Sequence, residues 1–230
     1  LLTRWLRPEA WLITTGGASS ADELDYARRL EQAARRHEWR LSLGILRGRD
    51  PRKPGVAELL AASEAVLLTS LQEGFGLPYL EASAASRPLI ARALPNIAPD
   101  LAQFGFGFPQ SYDEILIDDR LFHWADERRR QIVMFRRWRR KLPRGCRRWV
   151  SEPDRLAPDW RPSPVPFSRL TLTAQLQVLA QPIERSWQLC SLLNPFLESW
   201  RDRAAGGRLQ TTPWPRQAER WLSGRAYARR

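Results

Sequence analysis

Ala65-Val-Leu-Leu-Thr-Ser-Leu-Gln-Glu-Gly-Phe-Gly-Leu-Pro-Tyr-Leu-Glu81 decides how the chain is read. Its first five residues form a nearly continuous apolar run of the kind found where helices cover both faces of a parallel sheet. Two glycines, Gly74 and Gly76, then permit tight backbone turns, and Pro78 stands where a first helical turn loses no hydrogen bond. The segment therefore predicts a strand, a glycine turn and a helix over 78–85. Unpaired amides at such a helix start favour an anion, most simply a phosphate. Glu73 and Glu81 bracket the turn, and carboxylates accept paired hydrogen bonds from vicinal hydroxyls. The same residues also suit an ordinary strand-to-helix turn with Glu73 exposed and Glu81 on the helix surface.

Outward from this segment the alternation continues. Trp11 to Thr15 predicts a strand stopped by Gly16 and Gly17, and Ser19 or Ser20 with Glu23 close behind predicts a capped helix over 21–37. Arg40 to Leu46 alternates at period two, and a polar loop from Arg47 to Gly55 leads to a short helix over 56–63. Pro88 to Ala91 reads as a further strand, and a weaker helix and strand follow over 99–108. This order predicts an α/β domain over 1–118, built on an open parallel Rossmann-like sheet, with loops at one end of its strands lining a crevice.

Residues 119–230 differ, and a basic, helical and irregular C-terminal extension is predicted there. Helices are expected over 118–141, 170–180 and 183–205, and six prolines between Pro143 and Pro166 forbid a long helix between the first two. The net charge of +12 sits in this half: residues 120–150 alone carry 12 basic and 2 acidic side chains, whereas 1–119 carry 13 and 16. The Arg128–Lys141 run, with Trp138 and Trp149, reads first as a solvated face on a helix that packs back on the sheet. Among functional readings of the run, association with a membrane surface leads, and nucleic acid is disfavoured.

Apolar content of 43% supports a real core, and the sequence holds no run long enough for a membrane span or a signal peptide. Cys146 and Cys190 match neither a disulfide framework nor a zinc motif, which favours a reducing, cytoplasmic setting, extending to the inner face of a membrane. His37 and His123 stand alone, so a metal site or catalytic dyad is not expected. Trp187, Trp200, Trp214 and Trp221 are expected to be buried.

The stretch Glu73-Gly-Phe-Gly-Leu-Pro-Tyr-Leu-Glu81, preceded by Leu59 to Ser70 and followed by Pro88-Leu-Ile-Ala91, resembles the two-carboxylate motif of retaining nucleotide-sugar glycosyltransferases. These are the two-Rossmann-domain (GT-B), family 4-like enzymes that include sucrose-phosphate synthases and bacterial α-mannosyltransferases. The resemblance covers residues 59–91 in residue pattern and 11–118 in element order. It implies the C-terminal, donor-binding half of a GT-B fold, and a transferase that moves a sugar from a nucleoside diphosphate to an acceptor hydroxyl. By the same resemblance Glu73 is the catalytic-site carboxylate near the donor sugar. Gly74 and the amides of Phe75, Gly76 and Leu77 meet the distal phosphate and sugar, and Glu81 holds the ribose. Gly16 and Gly17 line the cleft, and Arg47 approaches the base.

No metal or cofactor is implied beyond a UDP, GDP or ADP sugar as donor. Arg4 and Arg7 are the nearest counterparts of the basic pair that such enzymes set before the first strand, although no Lys-Gly pair appears. The acceptor-binding N-terminal domain has no counterpart in these residues. The resemblance expects it in the same or another chain, together with a carbohydrate or other hydroxyl acceptor, and expects the chain alone to transfer nothing. A noncatalytic binding or scaffold module at RNA or membrane is the alternative.

Overall fold

The structure is a computed structural model and describes residues 1–46, 53–157, 163–216 and 218. Its elements are α1 (Leu2–Leu6), β1 (Leu12–Ile13), α2 (Ala21–Arg36), β2 (Leu41–Ser42), α3 (Val56–Ala62), β3 (Val66–Leu68), α4 (Leu77–Ala84), β4 (Leu89–Arg92), α5 (Ala98–Gln103), β5 (Gln110–Tyr112) and β6 (Leu116–Ile117). There follow α6 (Trp124–Lys141), α7 (Arg144–Arg147), β7 (Val165–Pro166), α8 (Leu172–Ala180), α9 (Ile183–Cys190) and α10 (Phe196–Ala205). The chain is thus mixed α/β, with small parallel sheets.

Several elements form for the local reasons the residues predict. At the start of α2 the Ser20 hydroxyl accepts from the Glu23 amide at 3.2 Å, while the Glu23 carboxylate accepts from the Ser19 amide and hydroxyl at 2.6 and 2.7 Å. α4 opens at Gly76, whose backbone is left-handed at φ 67°, with Pro78 in its first turn.

The strands are shorter than predicted and do not extend into one open sheet. Among the described residues β3, β4 and β5 pair side by side in parallel, joined through α4 and α5. β1 and β2 form a separate parallel pair. Ile13 is exposed and Leu12 only half-buried, so this pair lacks the cover on both faces that a central parallel strand requires. The strand predicted to end at Phe108 lies just beyond it, as β5.

One core draws on residues from both sides of position 118. Trp5, Ile90, Tyr112, Ile117 and Leu121 pack with Val165, Ala174, Val178, Leu197 and Trp200. β6 pairs antiparallel with β7 across about 50 residues of sequence, a contact local patterning does not announce. Beside it the buried Asn194 side chain donates to Leu116 O at 2.8 Å and accepts from Leu116 N at 2.8 Å, acting as a one-residue strand partner. The helix predicted over 183–205 is interrupted between Cys190 and Phe196, where Pro195 cannot continue it. The Trp5 indole donates to Ser186 Oγ at 2.9 Å, Trp200 is buried in this core as expected, and Trp187 packs against it half-buried.

A second core lies under β3, β4 and α4, where Leu68, Tyr79, Leu89, Leu94 and Phe106 meet, with Trp214 edge-on to Phe106 at 5.3 Å. The segment carrying Trp214 is tied in by Gln110, which donates to Gln210 O at 2.7 Å, and by Ser83, which donates to Thr212 O at 2.8 Å. Trp221 lies outside the described residues.

Candidate functional site

Because β3, β4 and β5 are parallel, the loops after them emerge at one end of the sheet. The first is the glycine turn. A Cβ on Gly76 would stand 2.5 Å from Ile97 Cγ2, so the loop after β4 lies against the turn as closely as a hydrogen on Cα allows. Asn96 in that loop donates to Glu73 O at 2.9 Å and fixes the approach to the turn. Below it, the buried Tyr79 hydroxyl donates to the Arg92 carbonyl oxygen at the end of β4, and burial pushes its pKa up.

This scaffold presents Gly74, Phe75 and Leu77 to solvent, with Glu73 half-buried beside them and Gly76 buried beneath. The amides of Phe75, Gly76 and Leu77 find no acceptor among the described residues, whereas the Tyr79 amide is already taken by Gly76 O at 3.0 Å. Phe75 is 85% exposed, Leu77 and Gly74 are exposed, and Glu73 is half-buried at the mouth of the turn. Glu81 is exposed on α4, one turn further along the helix. Glu73, Gly74, Phe75, Gly76, Leu77 and Glu81 therefore belong to one surface feature. Its chemistry is two carboxylates on either side of N–H groups that lack an acceptor among the described residues, suited to a ligand carrying both hydroxyls and an anion.

The remaining predicted residues lie elsewhere. Arg7 pairs with Glu9 and reaches Glu64 at 3.4 Å, and it donates to Ala204 O at 2.9 Å. Glu64 stands before β3 and Glu73 after it, so Arg7 is held at the opposite end of the strand from the turn. Arg4 donates to Gln181 O at 3.3 Å, and its guanidinium lies 5.4 Å from the Trp39 ring centroid. The first helix thus uses its arginines to bind the C-terminal helices, and neither is brought to the turn. Gly16 and Gly17 are exposed beyond β1, with open space around the position of a Gly16 Cβ. Arg47 lies outside the described residues.

A polar cluster that the sequence did not announce lies at the same end of the sheet. Arg92 closes β4 and grips Glu114 through both terminal nitrogens, at 3.1 and 3.3 Å, and lies 5.4 Å from the Tyr112 ring centroid. The Ser168 hydroxyl donates to the same carboxylate, and the Ile115 amide does so at 2.9 Å. Burial works to raise the Glu114 pKa, but the bonds from Arg92, Ser168 and Ile115 outweigh it and hold the carboxyl below its ordinary value. Burial pushes the neighbouring Tyr112 hydroxyl up to about 12. The signal in the sequence was a lone arginine ending an apolar strand, which becomes visible once β4 is extended by one residue.

Among the described residues no group of three His, Cys, Asp or Glu side chains is placed to hold a metal ion, and no helix is long and apolar enough to cross a membrane. No protein-family model, curated protein or solved structure matches the chain.

Proposed function

We propose that this chain is the donor-binding portion of a retaining glycosyltransferase, the C-terminal Rossmann-like half of a GT-B architecture. The reading rests on one observation. The turn after β3 combines the unpaired amides of Phe75, Gly76 and Leu77 with the carboxylates of Glu73 and Glu81. In this role the amides meet the distal phosphate of a UDP, GDP or ADP sugar, Glu81 accepts from the ribose hydroxyls and Glu73 from hydroxyls of the sugar. Transfer to an acceptor hydroxyl builds negative charge on the leaving diphosphate and positive charge on the sugar. Fixed amide dipoles at the phosphate lower that barrier without a metal.

An acceptor-binding domain, in the same or another chain, completes the cleft for a carbohydrate or other hydroxyl acceptor in this proposal. A reducing, cytoplasmic setting accords with Cys146 and Cys190, both free thiols.

A second reading, a noncatalytic module that keeps the turn as a binding or scaffold feature, is favoured by the engagement of Arg4 and Arg7 with the C-terminal helices. That leaves the diphosphate without the basic pair expected of an active relative.

Calorimetric titration of the chain with UDP, GDP and ADP, repeated with Glu81→Ala, tests the proposal. Saturable binding of one nucleotide that weakens about tenfold or more in the variant supports it, since a charge-assisted pair of hydrogen bonds is worth at least about 1.4 kcal/mol. Binding to none of the three by folded protein contradicts it.

A further inference from the structure

The strongest concentration of unpaired charge lies away from the turn, in the second half of α6 and in α7. The first half of α6 is anchored. Its fully buried Glu127 accepts from the Thr171 amide at 2.7 Å and from the Thr171 hydroxyl, Gln131 donates to Arg169 O at 3.1 Å, and Arg128 donates to Leu156 O at 2.8 Å. Beyond Ile132 the helix loses this cover. Val133 is 61% exposed, Met134 58% and Trp138 50%, and Trp149, just past α7, is 78% exposed. The helix therefore does not pack back on the sheet along its length, as its sequence predicts, but projects past the core.

The projecting part is a built hairpin. Arg139 donates to Arg147 O at 3.2 and 2.8 Å, and Arg147 donates back to Leu142 O at 2.9 Å and Arg140 O at 2.6 Å. Arg147 thus satisfies carbonyls at the end of α6 and Arg139 one at the end of α7, folding α7 against α6. Residues 133–149 hold eight basic and no acidic side chains. Among the described residues no carboxylate pairs with Arg136, Arg137, Arg140, Lys141, Arg144 or Arg148.

We infer that this hairpin docks the protein on an anionic phospholipid surface, with Trp138, Met134, Val133 and Trp149 entering the headgroup boundary and the arginines meeting lipid phosphates. Charge complementarity selects an anionic partner, and the exposed aliphatic side chains select a lipid one. Val133 and Met134 gain by burial at an acyl boundary, whereas a nucleic-acid strand rewards cations and open aromatic faces. The aromatic faces here are partly taken. Trp138 lies 5.8 Å from Phe135, centroid to centroid, and the Arg148 guanidinium lies 5.1 Å from the Trp149 centroid. Rings covered on one face still insert edgewise among headgroups but offer little to a base stack. The inference does not depend on the turn binding a nucleotide.

Flotation of the full chain with vesicles of phosphatidylcholine alone, or mixed with phosphatidylglycerol, tests it. The mixed vesicles are expected to carry the protein and the neutral ones to leave it behind, with binding lost as salt rises. The exposed double variants Trp138→Ser with Trp149→Ser, and Arg136→Glu with Arg140→Glu, are expected to keep the wild-type circular dichroism and thermal midpoint. The second pair is expected to weaken binding on the order of a hundredfold. No flotation on the mixed vesicles, equal flotation on the neutral ones, or flotation untouched by both double variants overturns the inference. So does tighter binding to single-stranded RNA than to the mixed vesicles, lost in the same variants.

Discussion

Gly76 lies so close to Ile97 that a single added carbon would stand 2.5 Å from the isoleucine Cγ2, at a backbone φ of 67° that side chains disfavour. Gly74, two residues earlier in the same turn, has open space where its Cβ would be. Gly76→Ala is therefore expected to destabilise the fold by about 2–4 kcal/mol, the sum of left-handed strain and an overpacked contact. Gly74→Ala is expected to stay within about 0.5 kcal/mol. Urea denaturation of the two variants beside wild type checks the contrast, and equal losses would remove the close contact from the account of the turn.

Glu114 joins the ends of β4 and β5 to Ser168, and its folded-state pKa lies below its ordinary value of 4.5. A depressed carboxyl contributes stability that is fully present above the unfolded-state value and is lost as pH falls through the folded-state value. Asp118, depressed chiefly by its hydrogen bond from Arg120, adds loss in the same direction. Wild-type denaturation midpoints are expected to fall steadily below pH 4.5, and Glu114→Gln is expected to flatten part of that fall. An unchanged slope in the variant would show that the Arg92 pairing leaves the carboxyl untitrated by folding.

The buried Glu127 carboxylate joins α6 to the N-cap residue of α8 through the Thr171 amide and hydroxyl. Glu127→Ala strands these donors and the Arg130 guanidinium, for a cost of about 3 kcal/mol. A double-mutant cycle with Thr171→Val is expected to give a coupling of about 1–3 kcal/mol, while additivity would mean that the two side chains act independently.

The legible part of this molecule is the local part. Ser20 and Glu23 announce the start of α2, and the glycines with Pro78 announce the turn and α4, because a cap and a turn are decided within a few residues. Pro195 was an equally local signal, and it interrupts the helix expected over 183–205. The long-range bonds were not readable. Nothing near Asn194 foretells that its amide completes the edge of β6, nor near Gln110 that it holds Gln210 a hundred residues on. For the candidate site, the sequence located the turn and both carboxylates, yet Asn96 and Arg92 became visible only once parallel pairing had set the ends of β3, β4 and β5 together. Arg4 and Arg7 went the other way. The resemblance assigned them to the diphosphate as counterparts of a basic pair before the first strand, and the packing of α1 on the C-terminal helices engages them elsewhere.

Hydrogen exchange at the amides of Phe75, Gly76 and Leu77, followed with and without the nucleoside diphosphate that binds in calorimetry, addresses the central claim directly. Slowed exchange is expected at these three amides, larger than at any other turn and lost in Glu81→Ala in proportion to occupancy. Saturating nucleotide that leaves all three unchanged, or that protects a different surface, would contradict the assignment of the turn as the phosphate site.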